Sequence, residues 1–310
     1  MATQGGPAQP VSVVTSGPVE GGAAIPVAVV TDGRAVVGGP AQRVVVVTSG
    51  PVQGGPARPI VAAPSGAVVQ GGPAIRVYVV SGSLNPTPTY TDKVKALNPI
   101  AYWPLADVSG SVATDESGNG RNGTYSNVTL GVPGIGDGRT AARFNGTNAQ
   151  MSADIAGLLA AWSISTYTIA LWMRVSSLAV WTDGTDRYPI AVRRDGNNNA
   201  YFIKSATNNL LNITSIAGGS VARVDPPLQN TTGWLYLAQT FSKPGDIMRA
   251  FLNGAQVGTT SGLGTWAGQP TTIRVGSLAG ANFWSGDIAH AAVFASALTA
   301  AQIASLAVVS

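Results

Sequence analysis

Only a few residues of this chain have side chains that could carry out a reaction. Its 310 residues include one histidine, His290, two glutamates, Glu20 and Glu116, and no cysteine. A glycoside hydrolase needs two carboxyl groups flanking one bond, and these glutamates lie far apart in the sequence. A single histidine without cysteine makes neither a catalytic triad nor a zinc site. We therefore predict that the protein is not an enzyme and requires no cofactor.

A glycine-rich turn, DESGNGRNGT, is the candidate metal site. It places Asp115, Ser117 and Asn119 at alternate positions, and calcium prefers hard oxygen ligands of this kind. Aspartate, serine and asparagine also cap tight turns through their side chains. The sequence leaves both interpretations open, and calcium is the metal that the first one implies.

Three tryptophans lie in or near loop sequences and could present flat rings to a sugar. They are Trp181 in VWTDGTDRY, Trp266 in GTWAGQ and Trp284 in NFWSGD. Small-molecule sites combine apolar rings with a few polar groups, so these residues form the predicted glycan site. The alternative is that their rings fill the open edges of the fold.

The composition restricts the class of protein. The chain is 45% hydrophobic and 10% charged, with 39 glycines and 20 prolines, which indicates many short strands joined by tight turns. The net charge is +4 without a basic run, so we predict no nucleic-acid partner. No long apolar run predicts a membrane span. The start, MATQGGPAQP, has no signal-peptide pattern, so we expect synthesis in the cytoplasm of a host cell.

The first part of the chain consists of about five repeats. Copies begin at Gly5, Gly21, Gly38, Gly54 and Gly71, at spacings of 16 or 17 residues. Each copy has a valine-rich stretch in which two columns are always apolar and the column between them varies. The first constant column holds Val11, Val27, Val44, Ile60 and Val77, and the second holds Val13, Val29, Val46, Ala62 and Val79. Alternate strand residues face opposite sides, so the constant columns are predicted to face a core.

One such repeat cannot bury its valine face alone, and two arrangements solve this. Three chains can wind around a shared axis, or the repeats of one chain can stack as coils. The repeat resembles the triple β-spiral shafts of viral fibres, so we predict a homotrimer through residues 5 to 83. A single-chain β-stack and an extended, mostly disordered arm are the alternatives.

The pattern changes after residue 83. Residues 84–93, rich in proline and threonine, are predicted to be a linker, and residues 94–310 an antiparallel β-sandwich. Alternating runs predict strands at 167–175, 187–194, 199–205, 233–242, 248–258 and 271–278. Asn253-Gly254 within MRAFLNGAQVG is a strong hairpin signal. Only residues 296–306 are predicted to be helical.

These residues resemble a known family. AYWPLADVSGSVATDESGNGRNGTY, ARFNGTNAQMSA, YTIALWMRV, GWLYLAQTFSKPGDIMRAFLNGAQVG and FWSGDIAHAAVFASALTAAQI are similar in order and spacing to laminin-G-like, concanavalin A-like jelly rolls. The resemblance implies a jelly-roll sandwich with Trp172 buried on its central strand. This fold hosts lectins, glycanases, adhesins and spacers, so it implies no single function.

A repetitive stem followed by a lectin-like domain resembles a bacteriophage virion fibre. We expect a structural protein on the virion surface, a head fibre or capsid decoration protein, whose stem (residues 1–83) trimerises and anchors it to the particle. Its lectin-like domain would face outward and bind glycans. The alternative is a tail fibre or a carbohydrate-binding adhesin whose function rests on that domain. The sequence does not distinguish a capsid partner from a tail partner.

Overall fold

The computed structural model describes residues 88–154 and 156–309, and the backbone of nine short strands between residues 3 and 71. The chain divides into two compact units, Met1–Thr87 and Pro88–Ser310. The second is called the head unit below. Among the described residues, no helix is long and apolar enough to cross a membrane.

The described strands of the first unit pair in parallel and in register with the repeat. β1, β3, β5, β7 and β9 form one sheet, and β2, β4, β6 and β8 form the other. Val11 pairs with Val27, Val27 with Val44 and Val44 with Ile60, so the first constant column stacks on itself. Coils of one chain would pair in this way. The trimer concerns three chains and stays a prediction. The fifth valine stretch and residues 84–87 of the predicted linker lie outside the described residues. The strands are β1 Thr3–Gln4, β2 Val11–Val14, β3 Val19–Glu20, β4 Val27–Val30, β5 Val36–Val37, β6 Val44–Val47, β7 Val52–Gly54, β8 Ile60–Ala62 and β9 Val69–Gly71.

The head unit is an antiparallel sandwich, as predicted. Sheet I has the order β13-β14-β25-β16-β21-β22-β23, with β10 paired to β25, and sheet II has the order β11-β12-β15-β24-β17-β18-β19-β20. Sheet I contains β10 Ala101–Trp103, β13 Thr129–Pro133, β14 Thr140–Asn145, β16 Thr166–Val175, β21 Leu235–Ser242, β22 Ile247–Leu252, β23 Ala255–Thr260 and β25 Ser285–Phe294. Sheet II contains β11 Val112–Ala113, β12 Gly123–Ser126, β15 Gln150–Ser152, β17 Arg187–Asp195, β18 Asn198–Lys204, β19 Leu211–Ala217, β20 Ser220–Val224 and β24 Thr272–Val275.

Two apolar clusters hold the head unit together. The larger one lies between the sheets, and the smaller one, which includes Trp172 and Tyr236, lies on the outer face of sheet I beneath helices α1 (Tyr90–Lys95) and α3 (Ala300–Leu306). Along β16, Leu171 and Met173 point into the first cluster and Trp172 into the second. Both faces of this strand are covered, which explains why it is an almost continuous apolar run.

The helices differ from the prediction. α3, Ala300–Leu306, lies within the predicted helical segment and begins with a capping box between Thr299 and Gln302. α1, Tyr90–Lys95, and α2, Ala156–Ala161, were not predicted, nor was the 3-10 helix Leu178–Thr182. α1 corrects the linker boundary, because residues 90–93 belong to this helix and its Tyr90 is buried in the outer cluster.

The predicted hairpin is confirmed. Asn253 and Gly254 join β22 to β23 with φ angles of 50° and 82°. Both central residues of a type I′ turn need positive φ, which asparagine and glycine adopt readily. The side chain of Asn253 also accepts a hydrogen bond from the backbone N–H of Tyr236 at 2.9 Å, so this turn is fixed to the neighbouring strand.

Candidate binding cleft

The three tryptophans predicted to bind glycans do not face solvent. Trp181 and Trp266 are 2% exposed and Trp284 is 0% exposed. All three belong to the cluster between the sheets; Trp181 Nε1 donates to the Thr231 carbonyl at 2.8 Å, and the ring of Trp266 packs on Trp162 at 5.6 Å. The prediction of sugar platforms is corrected, because the loop segments that carry these rings turn them into the core.

Trp234 is the tryptophan with the greatest exposure. Of the seven tryptophans, the other six are buried and Trp234 is partly exposed. Its Nε1 donates to the Gly134 carbonyl at 3.0 Å, and the guanidinium of Arg174 lies 4.8 Å from its ring centroid. The sequence did not single it out, because it lies within the predicted core strand 233–242, whereas the strand of the structure begins one residue later, at Leu235. Its position beside Gly233, at the strand entrance, was the available signal.

The turn considered for calcium is instead closed by its own hydrogen bonds. Asp115 Oδ1 accepts from the backbone N–H groups of Tyr102 and Ser117, and Oδ2 accepts from the Ser117 hydroxyl and the Arg121 N–H, at 2.8–3.0 Å. Asn119 donates to the carbonyl of Pro99 at 3.1 Å. The three predicted residues do come together, but donors occupy the carboxylate oxygens that a cation would need. This geometry fits the turn-capping interpretation.

A cleft of about 330 Å³ opens beside this turn. Three separate segments form it: the loop after β10, the chain after β11, and the glycine-rich loop that leads into β14. Its volume lies near the lower end of the range for small-molecule sites, about 300–1,000 Å³. The lining residues are Pro104, Ala106, Asp107, Val108, Thr114, Glu116, Gly138, Arg139 and Thr140.

An ion pair forms the polar centre of the cleft. Arg139 donates to both oxygens of Glu116, at 2.8 and 3.1 Å, so the pair is bidentate. The two side chains remain 34% and 28% exposed, which leaves both groups open to a ligand. Burial by itself would lower the pKa of the Arg139 guanidinium. The hydrogen bonds and the negative charge of Glu116 act in the opposite direction, and the pKa is raised. A fixed donor and a fixed acceptor therefore lie side by side.

Asp107 is fixed at one end of the cleft. Its carboxylate accepts from the hydroxyls of Thr114 and Tyr125, at 2.6 and 2.8 Å. Burial and the neighbouring carboxylate raise the pKa of Tyr125, so this phenol stays a donor to Asp107 at neutral pH. Val108, next to Asp107, is 73% exposed and provides an apolar rim.

Behind the cleft lies a buried chain of polar groups around His290. Its Nδ1 lies 2.6 Å from the Tyr102 hydroxyl, its Nε2 lies 3.0 Å from Asp137 Oδ2, and its backbone N–H donates to the Pro104 carbonyl at 3.0 Å. Burial lowers the pKa of His290, and Asp137 opposes this shift without reversing it. If the tyrosine hydroxyl donates to Nδ1, a neutral ring carries its proton on Nε2, the atom that faces Asp137.

Lowering the pH below about 6.5, the ordinary pKa of histidine, should destabilise the protein through His290. The unfolded chain then binds a proton that the folded protein does not, so the free energy of unfolding falls by up to about 1.4 kcal/mol per pH unit. At pH 7 and above this contribution is fully present. Chemical denaturation at pH 7, 6 and 5 measures the slope.

His290→Asn is the control for this slope. The residue has a φ of 53°, inside a strand, and asparagine tolerates that conformation better than other replacements. His290 is the only histidine of the chain, so the variant should show a nearly flat profile between pH 7 and 6. An equal slope in both proteins would show that another group is responsible.

The family of the chain follows from a match over residues 145–304 to the model described as the concanavalin A-like lectin/glucanases superfamily. This segment is more than half of the 310 residues. The chain belongs to this superfamily. The cleft residues precede the matched segment, so membership assigns them no role. No curated protein matches the sequence.

Solved structures share the superfamily fold with this chain. Domain 4 of AbnA, an extracellular GH43 arabinanase from Geobacillus stearothermophilus solved in complex with arabinotriose, is 18% identical, with a TM-score of 0.51 over 68% of this chain and 98% of that one. The binding domain of Paraclostridial Mosquitocidal Protein 1 is 15% identical, with a TM-score of 0.54 over 69% of this chain and 52% of that one.

A third structure is the receptor binding domain of the botulinum neurotoxin C/D mosaic serotype, 11% identical, with a TM-score of 0.55 over 68% of this chain and 51% of that one. The chain thus spans about half the length of the two toxin binding domains. At these identities the likeness shows the fold alone, and it confirms the jelly-roll sandwich expected from the sequence.

Proposed function

We propose that this protein is a non-enzymatic binding protein of the bacteriophage virion surface. Its repetitive stem attaches to the particle as a trimer, and its head unit binds glycans in the cleft around Glu116 and Arg139. The observation that carries the glycan part is this cleft, with a bidentate ion pair that remains about one-third exposed. The repeat and the lectin-like fold support the fibre part.

The cleft offers what a neutral sugar needs. Sugar hydroxyls both donate and accept hydrogen bonds, and the lining supplies carboxylates that accept and a guanidinium that donates. The hydroxyls of Thr114 and Thr140 donate to Asp107 and to the Ala106 carbonyl, so their oxygens are left to accept from a ligand. Each oxygen of Glu116 takes one bond from Arg139 and keeps a lone pair for a ligand hydroxyl. Val108 offers apolar surface to the C–H groups of a sugar ring. The arabinotriose complex of the arabinanase domain gives a precedent on the same fold.

The same geometry disfavours hydrolysis. A glycosidase needs one carboxyl group that carries a proton and a second one that is free to attack or to activate water. Both oxygens of Glu116 are held by Arg139, and Asp107 accepts from Thr114 and Tyr125. Neither group is placed as a proton donor, so we propose that the cleft holds sugars without cleaving them, and without a metal ion.

Glu116→Gln should weaken glycan binding at least tenfold. It removes the charge that fixes Arg139 and replaces a double acceptor by an amide that offers one oxygen, and charge-assisted hydrogen bonds are worth about 1.5–3 kcal/mol each. Binding of the full chain to a glycan array, with and without a chelator, measures this effect. We expect the chelator to change nothing.

Asp225→Asn is the matched control for this test. Asp225 forms an exposed ion pair with Arg223 and accepts from Asn212, but it does not line the cleft. This variant should bind as the unchanged protein does. If no glycan on the array is retained, or if both variants lose binding equally, the cleft is not the glycan site. Release of reducing ends from a polysaccharide would instead show an enzyme.

A second candidate is a tail fibre or an adhesin whose lectin-like unit recognises a receptor. The likeness of the fold to toxin binding domains favours it. Imaging of particles labelled on this protein distinguishes the two, because a decoration protein covers the capsid whereas a tail fibre labels the tail only.

A further inference from the structure

Three charged side chains lie in one row across the outer face of sheet I. Arg143 on β14 is paired directly with Asp287 on β25, and Arg174 on β16 is paired with the same residue. Directly opposite residues of antiparallel strands point to the same side of a sheet. The row therefore places two guanidinium groups on either side of one carboxylate.

The geometry fixes both arginines firmly. Arg143 donates to Asp287 Oδ1 at 2.7 Å and to Oδ2 at 3.1 Å, and Arg174 donates to Oδ2 at 2.8 Å. The carboxylate is only 3% exposed, whereas the side chains of Arg143 and Arg174 are 49% and 25% exposed. The row thus buries its one negative charge and presents its two positive charges to solvent. Its net charge is one positive charge.

Trp234 and the carbonyl of Pro133, the last residue of β13, contact one of these arginines, Arg174. The ring of Trp234 lies under the Arg174 guanidinium, and Arg174 also donates to the Pro133 carbonyl at 3.3 Å. Among the described residues, the Nη1 group of neither Arg143 nor Arg174 donates to a protein acceptor. Two fixed cations therefore keep free N–H donors, and little side-chain entropy remains to be lost on binding.

We propose that the row formed by Arg143, Asp287, Arg174 and Trp234 binds an oxyanion, the carboxylate of an acidic glycan. The two guanidinium groups already bind one carboxylate from the protein side, and their free N–H groups offer planar donors to a second one. The partly exposed ring of Trp234 contacts the sugar that bears the acid. This site is separate from the cleft, whose lining of two carboxylates and one guanidinium disfavours anions.

Polygalacturonate fragments are the probe, and the full chain is tested with them by titration calorimetry. Arg143→Gln should weaken binding at least tenfold, because it removes the most exposed charge while Arg174 still neutralises Asp287. Arg143→Lys keeps a positive charge but loses the planar guanidinium. Its affinity should lie between that of the unchanged protein and that of Arg143→Gln. Affinity should drop as sodium chloride is raised, since the row is exposed.

Arg223→Gln is the matched control. Arg223 has a similar exposure, 41%, and also forms an ion pair with an aspartate, Asp225, but it does not belong to the row. Unchanged binding by this variant, together with lost binding by Arg143→Gln, supports the site. Equal binding by the two variants overturns it. So does equal binding of a polymer whose carboxyl groups have been reduced to alcohols.

Two further measurements are needed. The first distinguishes a free anion from the carboxylate of a glycan, and the second distinguishes the arginine row from the cleft. Free sulfate should compete only at concentrations at least tenfold above that of galacturonate units, and competition at equal concentration would overturn the glycan assignment in favour of a small-anion site. Glu116→Gln should leave polygalacturonate binding unchanged. Failure of the cleft to bind neutral sugars therefore leaves this test intact.

Discussion

Replacing Trp172 by alanine should lower the free energy of unfolding of the head unit by about 3–5 kcal/mol, the usual cost of removing a large buried aromatic side chain. Trp172 is 7% exposed and packs on Tyr236 at 5.2 Å. Its Nε1 donates to the Tyr90 hydroxyl at 2.8 Å, which ties β16 to α1. The substitution leaves a cavity between sheet I and the helix that covers it.

Denaturant unfolding followed by tryptophan fluorescence measures this loss. All seven tryptophans lie between Trp103 and Trp284, so the signal reports the head unit and not the stem. Trp234→Ala is the matched control, because it removes the same side chain from a partly exposed position. It should lower the free energy of unfolding by about 1 kcal/mol, mainly through the lost contact with Arg174. If Trp172→Ala keeps the midpoint of the unchanged protein, the outer cluster does not stabilise the fold.

The strands were predictable because their signal is local. The run at 167–175 alternates between two buried faces, and the structure has β16 at Thr166–Val175. Asn253-Gly254 sets the backbone of its turn without help from the rest of the chain. The helix α1 was not predictable from periodicity, since six residues give fewer than two turns. Its capping box, formed by Thr89 and Asp92, was the signal that the sequence contained.

The cleft could not be predicted, because long-range pairing creates it. In the sequence Glu116 stands in the turn DESGNGRNGT, far from the other glutamate, Glu20. Its partner Arg139 lies on another loop, and the sandwich brings the two together. Asp107 joins them from a third segment. The tryptophans failed as predictors for a related reason: a loop position says where the backbone runs, but not whether the ring points outward or into the core.

The second large effect concerns the stem. Deleting residues 1–83 should convert a trimer into a monomer, so that the mass in solution falls more than threefold. The valine columns of one repeat have no partner within that repeat, and burial of each valine contributes about 1.5–3 kcal/mol. Light scattering coupled to gel filtration measures the mass, and the circular dichroism of the shortened chain checks that the head unit still folds.

Neighbouring valines of one repeat provide a matched pair for this prediction. Val46 belongs to a constant column and Val45 to the variable column, so the two substitutions differ only in the face of the strand that they change. Val46→Asp should dissociate the trimer, and Val45→Asp should leave it intact. A full-length chain that is a monomer at micromolar concentration would contradict the trimer and favour a single-chain stack.

The same deletion should also prevent attachment to the particle. The stem has no tryptophan and only six charged residues, Glu20, Asp32, Arg34, Arg43, Arg58 and Arg76, a surface suited to packing against protein and poor in groups that recognise sugars. A chain without residues 88–310 should therefore still join particles; this cut spares no part of α1, which belongs to the head unit. Purified particles probed with an antibody to each unit give the result. If the head unit alone decorates particles, the polarity is reversed: the head unit then attaches the protein to the particle, and the stem is only a spacer.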